Sequence, residues 1–209
     1  MMIFMGPDHR IVALAAVVGG FLLGFLDFVW ITSVPYPFAE LGNSIATWAV
    51  AAFAFGYWVR SGQVRAALGA TVLLVVAVPS YYLAAMLLQG DDLATIWAPA
   101  SLVWMGFGVL AGVVFGIGGT WARETGRRQI VGTALPAAVF FAEAAGFVRK
   151  AAGPNDGSEV LWNVAIDVVL GVLVVVLIGR TARQRVLALA AALPLAALIF
   201  VAFALAGGR

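Results

Sequence analysis

The fold class predicted from this chain is an all-α, polytopic transmembrane helical bundle of about seven spans. Apolar residues fill 64% of the 209 positions and charged residues only 11%, against roughly a quarter charged in soluble domains. Mean hydropathy is +1.05. The apolar residues gather in runs of about 20, the length a helix needs to cross the hydrocarbon core. Nearly every residue lies in or beside such a run, so residues 1–209 read as a single transmembrane domain without a separate soluble one.

The first run, 11–33, follows His9 and Arg10. It is too long for a secretory signal, carries Asp27 and lacks a small-residue cleavage site, so it reads as a mature span. The second, 41–59, holds Asn43, Ser44 and Trp48, and the third, 66–88, holds Tyr81 and Tyr82. Asp91 and Asp92 precede the fourth run, 97–119. DDLATIW offers no third acid at helical spacing, which predicts a helix cap rather than a metal-diphosphate motif. Within that span Gly108, Gly112 and Gly116 have the small-xxx-small spacing that permits close helix packing or a homo-oligomer contact. GIGGTW ends the span, the wrong context for a phosphate loop. The fifth run, 130–148, contains Glu143; the sixth, 160–179, contains Asp167; the seventh is 186–206. Pro79, Pro136 and Pro194 fall inside spans, where they predict kinks.

Lys and Arg in the short loops set the orientation. Nine basic residues (Arg10, Arg60, Arg65, Arg123, Arg127, Arg128, Arg180, Arg183, Arg185) fall on one side, and Arg149, Lys150 and Arg209 on the other. This predicts a cytoplasmic N-terminus and an outer C-terminus, with the bacterial inner membrane as the location. Cysteine is absent, which excludes disulfides and thiolate chemistry, and His9 lies before the first span. No metal or cofactor is expected. The expected partners are the lipid bilayer and a hydrophobic substrate, with no nucleic acid.

Asp27, Glu143 and Asp167 are the first functional candidates, because no Lys, Arg or His interrupts their spans. An ionisable group in hydrocarbon costs on the order of 3 kcal/mol on insertion scales, so by default it faces a protein interior or a functional cavity. At 1.5 Å per residue each acid lies about 8 to 11 Å below the outer end of its span, placing the three in one layer. Asn43, Ser44, Trp48, Tyr81, Tyr82, Trp97, Ser101, Trp104 and Asn163 share it. Helical spacing groups Trp97, Ser101 and Trp104 on one face, Phe140, Glu143 and Phe147 on another, and Asn163 with Asp167 on a third. Turned inward, these stripes predict an aromatic-walled pocket floored by carboxylic acids. Interhelical hydrogen bonding is the plain structural alternative for the Asn, Ser and acid side chains, and an interfacial belt for the Trp residues at span ends.

A pocket without a cation suits a neutral lipid-like ligand or a cation rather than an anion. A buried carboxyl can serve as a Brønsted acid, and aromatic faces can stabilise a carbocation. Those are the requirements of acid-initiated cyclisation of an isoprenoid alkene or epoxide.

The segments LDFVW (26–30), LGNSIATW (41–48), YY (81–82) and FAEAAG (141–146) resemble a small actinobacterial integral membrane family, mostly without assigned function. In size, span count and intramembrane acids the chain also resembles the membrane-bound terpene cyclases of meroterpenoid and indole-terpenoid pathways. The residues then predict a metal-independent cyclase in which Glu143, on the most apolar stripe between Phe140 and Phe147, donates the proton, Asp27 and Asp167 tune or reprotonate it, and Asn163 orients Asp167. Trp48, Tyr81, Tyr82, Trp104, Ser101, Asn43, Phe140 and Phe147 would line the substrate cavity. The alternative is a transporter, or a substrate-binding membrane subunit, for a small cationic or vitamin-like solute.

Overall fold

The computed structural model describes residues 8–150 and 157–205. Seven α-helices are found among them: α1 His9–Ser33, α2 Ile45–Trp58, α3 Gln63–Gln89, α4 Pro99–Trp121, α5 Arg127–Lys150, α6 Gly157–Ile178 and α7 Ala182–Leu205. Short 3₁₀ segments, Phe38–Asn43 and Leu93–Trp97, precede α2 and α4. All the helices except α2 are long and apolar enough to cross a membrane, so the chain is a multi-pass helical membrane protein. The second expected span, 41–59, begins later than its hydropathy suggests: residues 41–43 close the 3₁₀ segment and α2 has 14 residues. Ser44 separates the two, as a cap residue with non-helical backbone does.

The chain forms two compact units. Unit 1 comprises residues 1–43 and 47–120, and unit 2 residues 44–46 and 121–209.

In unit 1, small residues let backbones approach where lipid offers no hydrophobic drive for helix association. On α1 a Cβ at Gly20 would meet the backbone of Leu73, and one at Gly24 the backbone of Ala77. Phe28 meets the Tyr81 ring in the same register, so α1 and α3 run parallel. Ser80 Oγ donates a 2.6 Å hydrogen bond to the Phe21 carbonyl across this contact. The α4 glycines follow in reverse order along α3: Gly108 against Leu74, Gly112 against Thr71, Gly116 against Ala66 and Ala70. Their spacing therefore serves antiparallel packing within the chain. Gly56 and Gly119 bring α2 onto α4.

In unit 2, α5 is the central helix, buried continuously from Gly132 to Phe140. Ala188, Ala192 and Ala196 of α7 form a seam with Ala134, Ala137, Ala138 and Ala142 of α5. Gln184 bonds Gln129 at one end (2.6 Å) and Arg149 lies 5.1 Å over Phe200 at the other. The helices are therefore parallel. The short connection from α5 to α6 makes that pair antiparallel, and Gly171 of α6 seats against Phe140 and Phe141.

Candidate functional site

Asp27 lies in unit 1 on the packed face of α1, one turn beyond Gly24, and is 8% exposed. The indole Nε1 of Trp48 donates to its Oδ2 at 2.9 Å. The next residue, Phe28, meets Tyr81 edge-on with ring centroids 5.1 Å apart, and Tyr81 meets Tyr82 in the same way at 5.6 Å. Unit 1 thus combines an acid, an indole N–H and three aromatic rings.

The other expected cavity residues of unit 1 are placed differently. Asn43 ends the 3₁₀ segment and is exposed. Ser101 is fully buried, and its hydroxyl donates to the Thr95 carbonyl at 2.6 Å, tying the start of α4 to the turn before it. Trp104 is 42% exposed, with its ring on Phe107. Asp92 caps the second 3₁₀ segment, accepting from the Ala94 amide at 2.8 Å, as its place before a helix predicts.

In unit 2, Glu143 lies on α5 one turn beyond the buried Phe140. Ser44 Oγ donates to its Oε2 at 2.6 Å, the Ile45 amide to Oε1 at 3.0 Å, and the Ala46 amide to Oε2 at 3.2 Å. Residues 44–46 form the first turn of α2, whose amides have no partner within their own helix. Glu143 supplies acceptors for them, and its negative charge lies at the positive end of the helix dipole. Phe147 is half-buried a turn further on.

Asp167 and Asn163 stand four residues apart on the packed face of α6, 3% and 9% exposed. That spacing puts their Cβ atoms about 5 to 6 Å apart. Asp167 Oδ2 and Asn163 Oδ1 are both buried and accept no hydrogen bond from the described residues. The antiparallel register set by Gly171 brings Asp167 level with residues 144–145, and Glu143 is near enough to act on it electrostatically. Buried acceptors without donors are rare in folded proteins and costly. Here two of them stand one helical turn apart.

The family of unknown function DUF6518 matches residues 7–208 of the chain. The chain belongs to that family. No curated protein and no solved structure matches it.

In this DUF6518 member the partners of the buried polar residues leave little trace in the sequence. The Glu143 cap joins residues about a hundred positions apart, and the only local signal is Ser44, a helix-capping residue type at the start of an apolar run. The pairing of Trp48 with Asp27 leaves no signal in spacing, because the two sit on different helices. Gly20 with Gly24, and Ala188 with Ala192 and Ala196, carry the same small-xxx-small spacing as the α4 glycines.

Proposed function

We propose that this DUF6518 chain is a transporter, or the substrate-binding membrane subunit of one, that takes a small cationic solute at Asn163 and Asp167. The observation that carries the proposal is the pair of buried acceptor oxygens with no donor among the described residues, one helical turn apart on α6. A carboxylate and an amide oxygen are both hard acceptors, suited to a monovalent cation or an ammonium group. Among the described residues no three Asp, Glu, His or Cys side chains gather as a metal site, which favours a singly charged guest over a divalent ion. Glu143, whose own oxygens are held by α2, lies close enough to Asp167 to act on it electrostatically.

Uptake of labelled methylammonium into proteoliposomes tests the proposal. Saturable uptake that Asp167→Asn abolishes, with the variant still folded, is the expected result. Uptake no greater than in empty liposomes, or equal in the variant, would remove Asp167 from that role.

Acid-initiated isoprenoid cyclisation is the second reading, and its support lies in unit 1. Asp27, held by the Trp48 N–H and followed by Phe28, whose ring meets Tyr81 and through it Tyr82, supplies the acid and the aromatic faces this chemistry needs. Glu143 suits it less, since three donors from the start of α2 already engage its carboxyl group. Cyclised product from a linear polyprenyl epoxide, lost in Asp27→Asn, would establish that reading; absence of product would leave transport alone.

A further inference from the structure

We infer that the arginine-rich end of unit 2 is a binding site for the phosphate headgroup of an anionic phospholipid. Two turns build this end, one between α4 and α5 and one between α6 and α7. They carry Arg123, Arg127, Arg128, Arg180, Arg183 and Arg185 against a single acid, Glu124. The turns are fastened together. Arg180 donates to the Arg123 carbonyl at 3.3 Å, the Arg180 amide to Gln184 Oε1 at 3.0 Å, and Gln184 Nε2 to Gln129 at 2.6 Å. Arg185 Nε donates to the Gly179 carbonyl at 3.0 Å.

Interspan arginines are common on one side of any multi-pass protein, but here they accompany a donor that lacks an acceptor. The Trp121 indole Nε1 is buried and has no hydrogen-bond partner among the described residues. Arg128 lies over the Trp121 ring at 5.9 Å and reaches Glu124 at 3.3 Å. Arg127, Arg128, Arg180 and Arg183 are exposed in the same two turns. The Trp121 N–H, beside the Arg128 guanidinium, lacks an acceptor, and phosphate oxygens accept from both donor types. Trp121 closes a transmembrane helix, so the site stands where lipid headgroups lie, a depth at which Trp is favoured. Arginine clusters at that depth attract anionic lipids.

The test uses the purified full chain in detergent. Native mass spectrometry counts retained lipid, and thermal unfolding is followed with phosphatidylglycerol, phosphatidylcholine or inorganic phosphate added. The expected result is at least fivefold greater retention of phosphatidylglycerol than of phosphatidylcholine, with a matching rise in the unfolding midpoint. Trp121→Phe, which removes only the N–H, and Arg128→Gln should each reduce that preference. The exposed Arg183→Gln should also lower it without threatening the fold. Arg149→Gln, at the opposite end of unit 2, should leave it unchanged. Equal retention of the two lipids, the same stabilisation by inorganic phosphate alone, or equal loss in Arg149→Gln would overturn the inference.

Discussion

Replacing Glu143 separates a helix cap from a proton donor. Glu143→Ala removes the acceptors of three hydrogen bonds, from the Ser44 hydroxyl and from the Ile45 and Ala46 amides. The serine hydroxyl can turn to another acceptor, but the two amides cannot. Each buried donor left without a partner costs about 1–3 kcal/mol, and loss of a side-chain cap alone costs about 0.5–2 kcal/mol. A destabilisation of about 3 kcal/mol is the expected middle of that range, or roughly 6–12 °C in the unfolding midpoint for a chain of this size. Glu143→Gln keeps one acceptor oxygen but turns an NH₂ toward a donor, and should lose about half as much. Thermal unfolding in detergent gives the first number. Hydrogen exchange places it, since protection should fall at Ile45 and Ala46 while the middle of α5 keeps its own. A variant that melts within about 1 °C of the parent, with both amides still protected, would refute the capping role. A parental melt with abolished turnover would restore Glu143 as a catalytic acid.

Two further substitutions address the packing of unit 1. Gly24→Val drives a side chain into the Ala77 backbone, which cannot rotate aside, and should cost about 1–3 kcal/mol or more in unfolding in mixed micelles; an unchanged stability would mean that α1 and α3 can separate freely. Trp48→Phe removes the N–H on Asp27 and should cost about 1–3 kcal/mol in the parent but clearly less in an Asp27→Leu background, the coupling being read from a double-mutant cycle. Equal cost in both backgrounds would show that the indole acts through packing alone.

Hydropathy alone predicts the helical membrane bundle, because lipid forces every backbone amide into internal hydrogen bonds and only apolar runs of sufficient length can cross. It missed the start of α2. Leu41, Gly42 and Asn43 look like the head of a span, but a tight 3₁₀ segment uses them and the helix begins only after Ser44. The acids were recognisable from the cost of charge in hydrocarbon, and Asn163 with Asp167 from helical spacing. Their different conditions were not. Asp27 takes an indole, Glu143 takes the end of a helix, and Asp167 takes no donor on Oδ2 among the described residues. These outcomes depend on which helices meet and in which register, and glycine and alanine contacts decide that. Small-residue spacing names such contacts without naming the partner: the Gly108 series fits an intrachain neighbour and a second copy equally well in sequence, and in the fold it seats on α3.

Equilibrium binding of labelled sodium and labelled methylammonium to the purified full chain, measured by scintillation proximity, most directly tests the role given to α6. The parent should hold at least one of the two cations at a single saturable site, and each cation that binds should be displaced by its own unlabelled form. Asp167→Asn should bind at least about tenfold more weakly, since it removes the buried charge that faces the guest. Asn163→Leu should weaken binding to a smaller degree. Saturable binding of equal affinity in the parent and in Asp167→Asn, or no saturable binding of either cation to the folded parent, would contradict the assignment of Asn163 and Asp167 as a cation site.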